Sequence, residues 1–319
     1  MKHARLVAVL VALLVVAVGG ACAGWTALVF LDRSLPSSNT QVIIPRGSTL
    51  SDIAALLESR GIIRNALSFR VLARMRHADE DVRAGAYAFA PHETESEILE
   101  QLRSGGAQIA TWVTIPEGFT AAQIAHRLQA LGIGRAASFE RAFHGHEGYL
   151  FPSTYLVPLA ATPAQVTRML TDQFAKELPP DAAARARDLH VSVRQAVTVA
   201  SLVEREALIE PDRPLIAGVI YNRLRLGMPL QVDATIEYAL PRHKSALSLH
   251  DLQVDSPYNT YQHTGLPPTP IANPGLPSLL AALHPAKTDD LYYVYCGNGH
   301  HVFAKTFAEH QANVERCLH

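Results

Sequence analysis

The stretch "VTIPEGFTAAQIAHRLQALGIG", residues 113–134, repeats an earlier one, "VIIPRGSTLSDIAALLESRGII", residues 42–63, with 10 of 22 positions identical and no gap. Each copy begins with a β-prone run and a Pro-x-Gly turn. A threonine, Thr49 or Thr120, then precedes apolar residues at helical spacing: Leu50, Ile53, Ala54 and Leu57 in the first copy, Ile124, Ala125 and Leu128 in the second. Each ends at a glycine suited to a helix C-cap, Gly61 and Gly132. The unit predicts strand, turn and helix. Two copies are too few for a solenoid, so they read as duplicated small modules.

The 319 residues can hold one large domain or two ordinary ones. A formal net charge of -1 and a charged fraction of 18% give no electrostatic footprint for nucleic acid. The N-terminus says more. After Lys2, His3 and Arg5, the run from Leu6 to Leu31 has no charged residue. As a helix at about 1.5 Å per residue it spans roughly 39 Å, enough to cross a bilayer with some tilt. The positive flank comes first, which predicts a cytoplasmic N-terminus and the rest of the chain outside. "ACA" at 21–23 resembles a cleavage site, and Cys22 is a candidate for lipidation. The apolar run continues past both, through Trp25, Leu28, Val29 and Phe30, and Gly19, Gly20 and Ala21 lack the large aliphatic of a lipidation signal. The expectation is a single-pass anchor at 1–31 in the cytoplasmic membrane and a polar linker at 32–41. Cys296 and Cys317 then lie in an oxidising compartment, where a disulfide and two isolated thiols are both open readings.

Between the copies, "VRAGAYAFAP" (82–91) predicts a short strand and "TESEILEQLRSG" (94–105) a helix ending at Gly105. From 184 onward the chain reads as one larger domain. "SVRQAVTVASLVEREALI" is helical in pattern, as is "PLIAGVIYNRLRLG" (214–227) with Pro214 near its start and Gly227 at its end. Residues 228–276 read as a long loop rich in Pro, Gly, Asn and Thr, which inside a compact domain is usually functional or disordered; its aromatics and mixed polar residues favour ordered and functional. "LYYVYCGNGHHVFAK" (291–305) predicts a hairpin turning at Gly-Asn-Gly.

Three segments could carry chemistry. In "ASLVEREA" (200–207), Ala196, Val199, Ala200, Val203 and Ala207 form one apolar stripe. Glu204 and Glu206 fall on opposite margins of it, about 200° apart at about 100° per residue, so their side chains diverge and cannot form a carboxylate pair. The plainer reading is two solvated boundary residues. The functional one is a single general acid whose partial desolvation keeps it protonated near neutral pH. In "VIYNRLRLGMPLQVDATIEY", Asn222 and Arg223 lie within a helix, whereas Gln231 and Asp233 alternate with Leu230 and Val232 as on an extended segment with one polar face. In "SPYNTYQHTGLPPTPIANPG", Tyr258 and Tyr261 bracket Asn259 and Thr260. Aromatic faces beside amides and hydroxyls suit a sugar ring, and a proline-stiffened structural loop is the rival reading. The histidines 263, 284, 300, 301 and 310 match no common zinc spacing, and neither a Gly-x-Ser-x-Gly elbow nor a phosphate-binding glycine pattern is present. No metal or cofactor is expected.

The first copy resembles a LysM-like module, a small fold associated with binding N-acetylglucosamine polymers. The whole series "EGYLFPSTY" (147–155), "ASLVEREA", "VIYNRLRLGMPLQVDATIEYAL" (219–240), "SPYNTYQHTGLPPTPIANPG" (256–275), "HPAKTDDLYYV" (284–294) and "GHHVFAKTFAEHQ" (299–311) resembles the YceG-like family of endolytic murein transglycosylases. Departures are Ser153 where the family usually has Asp, Ala207 where Thr often stands, and Thr269 where Gly is usual. The resemblance implies an α+β chain: the transmembrane helix, a LysM-like βα module at 42–105, and a larger α+β catalytic domain at 106–319. That domain contains the second repeat and a lysozyme-like catalytic helix. It also implies cleavage of bonds between N-acetylmuramic acid and N-acetylglucosamine within nascent peptidoglycan strands, leaving 1,6-anhydro ends. Glu206 matches the catalytic glutamate. Asn222, Gln231, Asp233, Tyr258, Asn259 and Tyr261 are the residues expected to hold sugar, with Glu204, Arg223 and Thr260 supporting. The expected partners are glycan strands, the membrane and peptidoglycan synthases. The different-class alternative is a non-catalytic, membrane-tethered peptidoglycan-binding protein. N-terminal sequencing of the mature protein tests the anchor: a chain starting at residue 22 or 24 would contradict it.

Overall fold

The computed structural model describes residues 40–45, 47–78, 82–105, 109–240, 244 and 246–318, with residues 13, 15–16, 18–20 and 24 of the N-terminal run. The expected anchor and linker therefore lie almost wholly outside the described residues. Among the described residues no helix is long and apolar enough to cross a membrane. The architecture is α+β, and the chain divides into two compact units. One comprises the residues up to Thr111 with Pro158–Ala160, the other Trp112–Val157 with Ala161–His319.

In the first unit, β1 (Thr40–Ile44), α1 (Leu50–Ser59), α2 (Ala66–Met75), β2 (Gly85–Phe89) and α3 (Glu95–Ser104) follow in order. The strands β1 and β2 pair antiparallel with Val42 opposite Tyr87. Ile53, Leu57, Phe69, Phe89 and Leu102 close a core over that pair. Next come β3 (Ala110–Thr114), α4 (Ala121–Ala130), α5 (Ala136–Phe143) and β4 (Thr154–Pro158), all but the ends of the two strands in the second unit, and β3 pairs with β4. Both copies are thus strand–helix–helix–strand, a longer duplication than the matched 22 residues. Their shared signals act as local devices. Thr49 and Thr120 each cap a helix in a reciprocal box with the third residue on, Asp52 or Gln123, and losing such a cap costs about 1 kcal/mol. Gly61 and Gly132 both take positive φ, 66° and 77°, just past the helix end, where a Cβ would be strained.

The rest of the second unit is α6 (Pro163–Glu177), α7 (Ala182–Asp188), α8 (Val193–Glu206), α9 (Asp212–Leu226), α10 (Asp233–Ala239), α11 (Leu276–Leu283), β5 (Tyr292–Tyr295), β6 (His301–Ala304) and α12 (Phe307–Leu318). Every residue of α8 from Ala196 to Val203 is buried, not only the predicted stripe. The reason is that α9, α10 and α11 pack around it, so its buried Thr198 and Ser201 find hydrogen bonds inside the fold. Ser201 also accepts from Ile271 N at 3.1 Å, which seats the long loop on α8.

Two expectations need correction. Asp233 is not on an extended segment but opens α10. Gln231 turns the chain with φ 53°, and Val232, Thr235 and Ile236 then bury at helical spacing. The 228–276 loop accordingly contains α10 and a short 3-10 turn at Asp251–Gln253.

The hairpin forms as predicted, with β5 and β6 antiparallel and Tyr293 opposite Phe303. Cys296 and Cys317 form a disulfide that ties it to α12. Closing a loop of 21 residues this way stabilises by about 3 kcal/mol in the chain-entropy account. A Cys296→Ala, Cys317→Ala double variant should lose about that much in denaturant unfolding; a midpoint equal to the parent's would show that the bridge adds nothing.

Candidate active site

The two glutamates of α8 have different surroundings. Glu204 is spent on structure: its side chain is 6% exposed, Oε2 accepts from Gly275 N at 3.0 Å, and Oε1 lies 3.4 Å from the Arg213 guanidinium. Arg213 in turn donates to Ser278 Oγ at 3.0 Å. Glu204 thereby fastens the start of α11 and the start of α9 to α8. Breaking such a buried pair from one side leaves a charge without a partner.

Glu206, the last residue of α8, is only partly covered. Its Oε2 accepts from the Tyr293 hydroxyl at 3.0 Å. Burial pushes the carboxyl up to about 7; the Tyr293 bond opposes that shift, and the nearby charge of Asp233 adds to it. Tyr293 is held neutral by its own burial and by the Glu206 charge. The neighbour Arg205 favours the charged form of Glu206 but offsets only a small part of the burial, since it pairs with Glu237 of α10 at 2.9 Å, whose charge acts the other way. This carboxyl is therefore a group that can hold or release a proton near neutral pH.

The hairpin that carries Tyr293 is itself pinned. The Tyr293 ring meets His301 edge-on, with centroids 5.6 Å apart. His301 Nδ1 lies 2.9 Å from Asp212 Oδ2, and the same oxygen accepts the His301 backbone N–H at 2.8 Å. So of the histidines noted in the sequence, His301 has a positioning task. Among the described residues no group of three or more His, Cys, Asp or Glu is placed to hold a metal ion.

The sequence-predicted binding residues divide by what their side chains face. Asp233 is exposed and accepts from the Tyr261 hydroxyl, and Tyr261 in turn feels the charge of Glu206, so these three come together. Gln231 is also exposed; its backbone N–H donates to Thr260 O at 3.1 Å. The others build walls. Asn222 donates both amide hydrogens to backbone, Thr288 O at 2.8 Å and Asp290 O at 3.0 Å. Arg223 is buried and donates to Leu291 O at 2.6 Å and Leu230 O at 2.8 Å, its guanidinium 5.1 Å above the Tyr292 ring. Asn259 has no exposed surface and donates to Leu252 O and Val254 O. Thr260, also buried, accepts from Val232 N and contacts Thr235 Oγ1 at 2.9 Å. These four shape the segments that carry Asp233, Tyr261 and Tyr293.

A second group was not singled out by the sequence. Glu147 accepts from Ala121 N at 3.0 Å and Asn273 Nδ2 at 2.9 Å through Oε1, and from the Tyr238 hydroxyl at 3.3 Å through Oε2. Burial pushes its carboxyl up to about 7 against those bonds. Tyr238 packs on Tyr258, with ring centroids 4.9 Å apart. Next to Glu147, Gly148 has φ 86°, and a Cβ there would stand 2.5 Å from Pro270, so only glycine allows this approach. A signal for Tyr293 existed in the period of two along β5, which separates it from Tyr292, the partner of His310 and Phe307. Nothing local in the sequence joins Tyr293 to Glu206, or Tyr238 to Glu147.

The YceG-like family profile matches residues 42–316. The chain is 34% identical to the endolytic murein transglycosylase of Bacillus subtilis (strain 168), over 88% of this chain and 85% of that protein. It is 30% identical to the endolytic murein transglycosylase of Streptococcus pneumoniae serotype 2 (strain D39), over 89% of this chain but 60% of the longer pneumococcal protein. A crystal structure of a YceG-like protein from Listeria monocytogenes superposes with a TM-score of 0.56 at 32% identity, covering 87% of this chain and 99% of that one. With a family profile spanning most of its length, and these relatives beside it, the chain belongs to the YceG-like family.

Proposed function

We propose that the chain is an endolytic lytic transglycosylase of murein, with Glu206 as its one proton-transfer group. The single observation that carries this is a carboxyl raised to about 7 by burial at the end of a packed helix, held from one oxygen by Tyr293. Protonated Glu206 donates to the glycosidic oxygen as the bond to C1 of the muramic residue breaks. As carboxylate it takes the proton of the muramic C6 hydroxyl, whose oxygen bonds to C1 and closes the 1,6-anhydro ring. Atoms and protons balance without water, and no second carboxylate is needed as nucleophile or base, unlike the two-carboxylate glycosidases. Asp233, hydrogen-bonded by Tyr261, supplies negative charge beside the sugar as positive charge develops at C1. Gln231 and Tyr261 contact the flanking rings. The charge-free run Leu6–Leu31 behind Lys2 and Arg5 supports tethering to the outer face of the cytoplasmic membrane. There nascent strands and the synthases that make them are within reach.

Glu206→Gln should abolish release of anhydro-muropeptides from purified sacculi, by roughly three orders of magnitude or more for loss of a general acid that also serves as base, while the circular dichroism spectrum stays that of the parent. Activity retained in that variant would remove the assignment, and reducing ends in place of anhydro ends would make water the acceptor. Sacculi bound without any change in muropeptides would favour the binding-protein reading instead.

The pH profile tests the surroundings of Glu206. Its acid form is present below about 7 and lost above it, so activity limited by proton donation should fall as pH rises through that value. Tyr293→Phe removes a bond that favours the carboxylate and should move the falling limb to higher pH. Asp233→Asn removes a repelling charge and should move it lower. Shifts of the opposite sign would mean that another group titrates.

A further inference from the structure

The proton chemistry assigned to Glu206 leaves Glu147 and the cleft it backs without a task. That cleft, of about 590 Å³, falls in the size range of sites that take small organic ligands. One wall is the second repeat: Ala121 and Ala122 at the start of α4, then His144 and Gly145 after α5. The facing wall is Tyr238 at the end of α10 with Tyr258 and Thr269 of the long loop. Glu147 joins the two walls through its bonds to Ala121 N and the Tyr238 hydroxyl. The Tyr258 hydroxyl lies 2.8 Å from Thr269 Oγ1, so hydroxyl groups edge the aromatic pair.

The two sites share their supports. Asp233 stands at the start of α10 beside Glu206, and Tyr238 five residues on belongs to the cleft, roughly 7.5 Å further along the helix. The tyrosine loop repeats this division: Tyr261 reaches Asp233, whereas the Tyr258 ring packs on Tyr238 at an interplanar angle of 53°. Between them the buried Asn259 and Thr260 fix the turn. At about 100° per residue, Asp233 and Tyr238 stand about 140° apart around α10. The two sites therefore share the helix and the loop that hold them rather than one face, and only a ligand several rings long can touch both.

We propose that this cleft is a second saccharide subsite, taking one uncharged sugar ring of the same glycan strand at a distance from the bond being cleaved. The inference rests on the murein reading above. Half-buried aromatic rings offer their faces to the apolar side of a pyranose, and the tyrosine, threonine and carboxyl oxygens accept from its hydroxyls. Glu140 and Glu147 both line the cleft and disfavour the carboxylates of a stem peptide, with Arg194 the permanent cation among the lining residues. Filling a subsite remote from the scissile bond favours long strands and places the cut inside them rather than at an end.

The test uses the full chain with Glu206→Gln, so that bound glycan stays intact. Calorimetry compares peptide-free tetrasaccharide and octasaccharide of alternating N-acetylglucosamine and N-acetylmuramic acid. The octasaccharide should bind about tenfold more tightly, and adding Ala122→Trp, which fills the cleft from an exposed helix position, should bring the ratio close to one. Thr269→Val, which removes only the hydroxyl, should give a smaller loss of the same ratio and guards against misfolding of the tryptophan variant. Equal affinity for both lengths overturns the proposal, as does a ratio that both variants leave intact. A gain that appears only when stem peptides are present assigns the cleft to peptide and overturns it too. A protein that binds by length yet releases no anhydro ends without the Glu206→Gln change would fail the transglycosylase reading while keeping the subsite.

Discussion

The hydrogen bond from Tyr293 to Glu206 joins the end of a fully packed helix to a hairpin nearly ninety residues later in the chain, and much of the second unit exists to hold those two ends together. Helix α8 can end in a half-covered carboxyl because α9, α10 and α11 surround the residues before it. The hairpin stays in place because Asp212 grips His301 and the disulfide ties it to α12. Burial raises the cost of charging Glu206, and the Tyr293 hydroxyl with the nearby charge of Arg205 offsets only part of that cost. The outcome is a carboxyl poised near neutrality, which neither a solvated surface glutamate nor an ion-paired one could be.

Glu204 shows the same physics turned to a different end. It lies two residues away with its side chain 6% exposed, and it is met by Arg213 and by the backbone N–H of Gly275. With such partners the side chain becomes a fastening between three helices. The divergence of two side chains about 200° apart on one helix thus gives two neighbouring acids different surroundings, one met by a cation and a backbone donor, the other raised by burial.

The duplicated module was legible because its signals are local. A threonine before an amphipathic helix and a glycine after it act within a few residues, and both copies keep them. The closing strand of the first copy was legible too, in 82–91, but the second helix of each copy and the closing strand of the second were not, because the copies no longer match there. The segment after Leu230 was misread as extended for a related reason. Four alternating residues, Leu230 to Asp233, suggest a strand, and only the left-handed turn at Gln231 shows that the chain changes direction and starts α10.

By itself the sequence determined the α+β pattern, the two repeats, the apolar helix over 193–206 and the separation of its glutamates, since each depends on spacing along one element. It also supplied the family through motifs spread over most of the chain. Tertiary structure decided which groups meet: Tyr293 with Glu206, Tyr261 with Asp233, and Tyr238 with Glu147. It also turned Asn222, Arg223 and Asn259 inward, to backbone carbonyls, rather than toward a ligand. Periodicity tells which face of an element is buried, but a proton affinity depends on what lies against that face, and those neighbours come from distant parts of the chain.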